Sequence, residues 1–249
     1  MTISKAVSTT TPDKPLVSII IATYNSEPFI AGCLESIVGQ AEKNIEIVIV
    51  DGESNDRTLE IIRSFNLPNL RLSSEKDKGI YDALNKGINI ANGRFLYFLG
   101  SDDRLLPDFS KLTSKLRNDR TVYYGNSAPL DRLLSGKFSK YRLAKYCMNH
   151  QSIIYPAGVF EKYGYQLKYK VLADYVLNIQ VWGDPYFIKK HHPLTIVHYN
   201  MDGFSSKNKD QAFRKDRKRL IRQNMGLLTY LRFLLKEYRS RKRPEVLEV

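Results

Sequence analysis

Three short runs dense in β-branched or aromatic residues, Val17–Thr23, Ile45–Val50 and Phe95–Leu99, and a shorter strand-like run, Leu70–Ser73, alternate with three segments of helical apolar spacing at 27–39, 58–65 and 80–91. Short buried strands separated by amphipathic helices predict a mostly parallel sheet with helices on both faces. The fold class is therefore α/β and Rossmann-like. In such a sheet the loops that follow the strands converge on one edge, where ligands bind. Ser26 is the expected cap of the first helix and Gly39 its end.

The polar residues fall on that edge. The loops are Ala22-Thr23-Tyr24-Asn25, Asp51-Gly52-Glu53-Ser54-Asn55-Asp56 and Ser101-Asp102-Asp103. Two adjacent carboxylates at the end of a buried strand repel each other unless a positive charge joins them. Hard divalent cations, Mg²⁺ or Mn²⁺, prefer such oxygen ligands and bridge to phosphates. A polar turn that caps the next helix is the plainer alternative. Gly79 opens the third helix and leaves backbone N–H groups free for a phosphate or a tight turn. Asp82, Asn85 and Lys86 lie on the first turns of that helix, within reach of the edge. Solvation of Lys86 and a helix-dipole role for Asp82 explain them equally well.

At 249 residues the chain has room for one large domain with an appendage. Cys33 and Cys147 make no disulfide framework and fit a reducing compartment. Cys33 shares an apolar helix stripe with Ile30 and Ile37. Cys147 and His150 lack the further ligands of a zinc site. No run approaches the ~20 apolar residues of a membrane span. Residues 1–14 are Ser/Thr-rich, without the apolar centre of a signal peptide, and read as a disordered leader. The protein is expected in the cytoplasm.

Those three loops, with Gly79-Ile80-Tyr81-Asp82-Ala83-Leu84-Asn85-Lys86-Gly87, resemble the family 2 glycosyltransferases of the GT-A fold. The resemblance is strong over 16–106. It continues through Asn149-His150-Gln151, Leu172-Ala173-Asp174-Tyr175 and Gly203-Phe204-Ser205, and is nearest to small bacterial enzymes of O-antigen, capsule or exopolysaccharide synthesis. It implies a donor half at 15–106 and an acceptor half at 107–206. It also implies that Thr23, Tyr24, Asn25 and Asp51 hold the nucleoside of a sugar nucleotide, most simply UDP-linked. Ser101 would contact the sugar nucleotide, Asp102 would face the ribose, and Asp103 would bind the metal on the diphosphate. Inverting transfer needs a base for the acceptor hydroxyl; by resemblance this is Asp174, whose apolar neighbours suit it to the role. His150 would act beside it, and with Gln151 it would line the acceptor site or act near the diphosphate. Turn capping remains open for Asp51, as does a helix N-terminal role for Asp174 and a core role for His150. His198 is a further ligand candidate, and His191-His192-Pro193 reads as loop. Glu53, Arg57 and Asp202 depart from the family pattern. The Gln-x-x-Arg-Trp motif of processive synthases is absent, which favours single addition.

Between Lys207 and Arg243 fourteen Lys/Arg face three acids, which places +11 of the chain's +13 in this tail. Leu220, Ile221, Leu227, Leu228, Leu231, Leu234, Leu235 and Tyr238 fall near helical spacing among the cations, so 207–249 reads as a basic amphipathic helix. Such a helix can lie on anionic lipid at the inner face of the plasma membrane, near a lipid-diphosphate-linked or glycan acceptor. Ordinary packing on the main domain is the alternative. No nucleic-acid motif accompanies the charge, so nucleic-acid binding is not expected. The rival to an enzyme is a non-catalytic sugar-nucleotide or glycan-binding module on the same fold. Nucleotidyl transfer ranks last, for want of a Gly-rich basic loop that cradles a triphosphate.

Overall fold

The computed structural model describes residues 14–129, 135–200 and 209–241. Most of the expected leader, together with Asp202 and Gly203-Phe204-Ser205, lies outside them.

The elements run β1 (Val17–Thr23), α1 (Ile30–Val38), β2 (Ile45–Asp51), α2 (Thr58–Ser64), β3 (Leu70–Ser74), α3 (Ile80–Ile90) and β4 (Phe95–Gly100). There follow β5 (Arg104–Leu105), α4 (Asp108–Thr113), β6 (Thr121–Ala128), α5 (Lys140–Lys145) and β7 (Ile153–Pro156). The chain continues through α6 (Ala173–Gly183), β8 (Ile188–His198), α7 (Gln211–Met225) and α8 (Leu227–Arg241). Among the described residues the strands form one sheet in the order β3-β2-β1-β4-β7-β6-β8-β5.

The first four strands are parallel, with Thr23 opposite Asp51, Asp51 opposite Ser74, and Ala22 opposite Gly100. This register alone brings three strand-end loops to one edge. The second half does not form a sheet of its own. β7 runs antiparallel to β4 and to β6, β8 parallel to β6, and β5 antiparallel to β8.

Alternation along the buried strands divides the core. Ile20, Val48, Leu96 and Phe98 face α3, α5, α6 and α7, whereas Ile19, Ile21, Ile47, Ile49 and Leu99 face α1, α2 and α4. Each such side chain contributes about 1.5–3 kcal/mol on burial. The basic tail is two helices, broken at Gly226 with a φ of 85°. Phe213, Leu220, Ile221 and Met225 of α7, with Phe233 of α8, enter the same core as α6.

Two local expectations are corrected. His191, His192 and Pro193 lie inside β8, because pairing with β6 supplies the ladder and a register shift after Tyr124 accommodates the proline. Ser26 does not cap α1: its hydroxyl lies 3.0 Å from that of Ser101, and the helix begins after a turn on its carbonyl.

Candidate active site

β4 ends at Gly100, where the chain turns so that Asp103 N–H bonds to the Gly100 carbonyl at 3.1 Å. A Cβ on Gly100 would stand 2.5 Å from Asp103 Oδ2 and 2.9 Å from Asp102 Oδ1. Both carboxylates thus fold back over the strand end, and only glycine leaves them room. Asp103 is 1% exposed. Its Oδ2 accepts from Gly100 N–H (3.0 Å) and Gln151 Nε2 (2.8 Å), and its Oδ1 from Asn200 N–H (2.9 Å). Burial pushes the Asp103 carboxyl above the usual range and the Asp102 charge adds to this, while the bonds from Asn200 and Gln151 pull it down. Asn200 Nδ2 also donates to Asp102 Oδ2 at 3.1 Å.

A 3₁₀ turn, His150–Ser152, joins this pair to a third acid. Asn149 caps the turn through Gln151 N–H (3.0 Å), and the Tyr97 hydroxyl donates to the Gln151 carbonyl (2.6 Å). From this fixed backbone Gln151 reaches Asp103, and His150 Nδ1 lies 3.0 Å from Asp174 Oδ2. The Tyr81 hydroxyl lies 2.9 Å from Asp174 Oδ1 and 2.6 Å from the Val171 carbonyl. A hydrogen bond from the ring to the Asp174 carboxylate places a proton on His150 Nδ1. The segment entering α6 is held from α7. Asp210 caps Phe213 N–H with Oδ1 (2.9 Å) and takes the N–H groups of Val171 and Leu172 on Oδ2 at 3.0 and 3.1 Å.

On the nucleoside side the polar side chains bond one another. Asp51 is fully buried, and four donors fill its carboxylate: Thr23 Oγ1 (3.0 Å), Ser54 N–H (2.9 Å), Ser54 Oγ (2.5 Å) and Ser74 Oγ (2.9 Å). It ties three strand ends together and presents no free oxygen to a base. Asn25, at a φ of 48°, is likewise engaged: its N–H donates to Ser54 Oγ (2.9 Å) and its Oδ1 accepts from Asn55 N–H (3.0 Å). Tyr24 is 64% exposed and offers an open aromatic face. Beneath it a Cβ on Gly52 would meet Asp77 Oδ2 at 2.7 Å and the Tyr24 ring at 3.5 Å. Asp77 Oδ1 accepts from the N–H of Gly79, which opens α3 with a φ of 113°.

Gln151 is turned to Asp103. Asn85 clamps the Tyr165 backbone through Nδ2 to the carbonyl (2.8 Å) and Oδ1 from the N–H (3.1 Å). Lys86 bonds to the Lys76 carbonyl (2.8 Å), and Asp82 accepts from Lys78 N–H (3.0 Å), so both brace the loop before α3. Cys147 bonds weakly to the Met148 carbonyl (3.6 Å) and forms no site with His150. Exposed His198 ends β8 opposite Arg104.

The residues missed in the sequence are Tyr81, Asp77 and Asn200. Tyr81 and Asp77 lie in or beside the Gly79 motif. Asn200 carries no local signal, since the pairing of β5 with β8 brings it in.

Among the described residues no cluster of three or more His, Cys, Asp and Glu forms a metal cage. Asp102 and Asp103 still fit an oxygen-seeking divalent ion of the kind held by one or two carboxylates plus substrate phosphates. The two acids are adjacent at the strand end, and among the described residues Asp103 Oδ1 accepts a single hydrogen bond, from Asn200 N–H.

Comparison with known proteins agrees with this architecture. A "PGL/p-HBAD biosynthesis glycosyltransferase" of Mycobacterium bovis is 34% identical over 223 residues, 81% of this chain and 83% of that protein. The structure of S. aureus TarS 1-349 in complex with UDP-GlcNAc superposes with a TM-score of 0.69 at 19% identity, over 82% of this chain and 65% of that one. The mannosyltransferase PcManGT from Pyrobaculum calidifontis, in complex with GDP-Man and Mn²⁺, superposes with a TM-score of 0.64 at 18% identity, over 90% of this chain and 65% of that one. These two likenesses concern the fold, and the chain spans just under two thirds of each solved structure. Residues 18–169, which carry the paired acids and the His150-Gln151 turn, match the model described as "Glycosyl transferase family 2", and the chain belongs to that family.

Proposed function

We propose that the chain moves one sugar, with inversion, from a nucleotide donor to a glycan or lipid-linked acceptor in surface-polysaccharide or glycolipid synthesis. The observation that carries this reading is the 3₁₀ turn whose adjacent residues bond the two acid centres, Gln151 to Asp103 and His150 to Asp174. Such a turn fixes the donor side and the acceptor side relative to one another. Donor class is supported by the UDP-GlcNAc complex of TarS; the GDP-Man complex of PcManGT makes GDP the second nucleotide to test.

In this reading Tyr24 stacks on the base above Gly52 and Asp77, while buried Asp51 keeps the surrounding loops in place. Asp103 would hold Mn²⁺ or Mg²⁺ on the diphosphate, with Asp102 beside it toward the ribose. The bound cation supplies Lewis-acid stabilisation of the charge on the leaving group. The acceptor hydroxyl oxygen bonds to the anomeric carbon as the bond to the diphosphate oxygen breaks. The electron pair leaves on the nucleoside diphosphate, and the hydroxyl proton passes to the Asp174 carboxylate. His150 and Tyr81 hold that carboxylate in orientation. The expected localisation is cytoplasmic. Among the described residues no helix is long and apolar enough to cross a membrane.

General bases contribute about 10²–10⁴ in rate. Asp174→Asn should therefore lower Mn²⁺-dependent release of UDP from a UDP-sugar by at least about 10², with nucleotide binding by thermal shift retained. Near-normal turnover of that variant would refute the assignment. Binding without turnover of any sugar nucleotide by the wild type would instead favour a binding module.

A further inference from the structure

We propose that the outer face of α8 is a docking surface for an anionic phospholipid bilayer. α8 has two apolar faces. Phe233 is buried at 2% exposure against the domain, with the Arg217 guanidinium over its ring. On the opposite side Leu227, Leu228, Leu231, Leu235 and Tyr238 stand 48–73% exposed. At 3.6 residues per turn these five share an arc of about 100°. Single exposed leucines are ordinary, whereas a helix apolar on both sides implies that something covers its second face.

Charge identifies the cover. Arg232 and Arg239, both exposed, border the stripe on one side. Between α7 and α8 an open cleft of about 520 Å³ is lined by Lys218, Arg219, Arg222, Gln223 and Tyr230. The acids beside it are matched: Asp216 pairs with Arg219 at 3.0 Å and Glu237 with Lys218 at 3.5 Å. Residues 209–241 hold eleven Lys/Arg against three acids. A second copy placed stripe to stripe would set two such cationic surfaces against each other. An anionic bilayer instead takes the leucines into its acyl boundary and the cations onto its phosphates.

The surface is tied to the site, because the Asp210 that caps α7 also holds Val171 and Leu172 ahead of Asp174. α7 spans about 22 Å. The inference extends the lipid-linked acceptor reading, but its test reads binding without turnover.

Full-length protein is floated with vesicles of phosphatidylcholine alone, or with about 30% phosphatidylglycerol added. Wild type should float with the anionic vesicles and stay behind with the neutral ones. Leu228→Gln/Leu231→Gln/Leu235→Gln, which preserves charge and helix propensity, should reduce partition about tenfold or more at unchanged Tm. If the triple variant loses stability, Leu228→Gln alone should lower partition measurably. Arg219→Gln/Arg222→Gln should flatten the salt dependence. Equal flotation of wild type and the leucine variants overturns the proposal. So does failure of wild type to float, or a wild-type dimer that the triple variant dissociates without changing flotation.

Discussion

Replacing Asp103 by asparagine separates the charge of this side chain from its shape. Oδ2 holds two donors, Gly100 N–H and Gln151 Nε2, and Oδ1 holds one, Asn200 N–H. The asparagine oxygen therefore keeps the two-donor position, and its NH₂ faces Asn200 N–H. One buried donor is orphaned, at a cost of about 1–3 kcal/mol. Removal of a buried charge that already lies beside Asp102 offsets part of that cost. The metal-free protein should thus change by no more than about 2 kcal/mol, or ~4–8 °C in Tm for a domain of this size. Function should respond quite differently. Stabilisation of transition-state charge by a bound cation is worth several kcal/mol, and each 1.36 kcal/mol is tenfold in rate. Asp103→Asn should therefore lower transfer by about 10² or more. It should also lose the Mn²⁺-dependent part of the thermal shift with UDP, which for wild type at 100 times Kd is about 2.7 kcal/mol. The assays are UDP release and a thermal-shift series with Mn²⁺ or EDTA. Turnover within tenfold of wild type, or an equal Mn²⁺-dependent shift, would show that Asp103 holds no metal.

Three further outcomes are expected. Because burial raises the Asp103 carboxyl, its contribution to metal-free stability is complete at pH below ~4, the unfolded range, and is lost as pH rises through the raised folded value; saturating Mn²⁺ and UDP should reverse that slope, and chemical denaturation across pH 4–7 with Asp103→Asn as control checks the sign. Asp51→Asn turns one acceptor of a four-donor hub into a donor and should cost about 2–4 kcal/mol, read as a fall in denaturation midpoint; an unchanged midpoint would show that the hub is dispensable. Tyr24→Ala should weaken nucleotide binding by about 1–3 kcal/mol without changing Tm, and unchanged UDP affinity would remove Tyr24 from the base platform.

The first half was legible because its signals are local. β1, β2 and β4 are buried β-branched or aromatic runs, β3 is a short edge strand, and the observed ends of all four differ from the expected ones by at most one residue. The acidic pair was legible for the same reason, as it terminates the most aromatic of those runs. Ser26 misled because tertiary partners took the groups a cap would use: Thr58 Oγ1 holds its N–H at 2.7 Å and Ser101 lies against its hydroxyl. The four donors around Asp51 were not legible, because residue type does not say how many donors surround a carboxylate. β8 was hidden by its polar stretch of Lys189, Lys190, His191 and His192. There the pairing with β6 outweighs propensity, and His191 bonds to Asn126 at 3.2 Å while tilting on Tyr124.

What sequence spacing could not show is that the residues fixing the acids come from the end of the chain. Asn200 follows β8 and bonds both Asp102 and Asp103; Asp210 begins α7 and holds the backbone that leads to Asp174. The α/β half carries the paired carboxylates. Their orientation, and that of Asp174, depends on elements about 100 and 36 residues away in the chain, joined only when β5 finds β8 and α7 finds α6. A truncation before Asn200 would leave the motifs intact and remove the donors that orient them. The basic tail is therefore part of the site's framework, whatever its outer face touches.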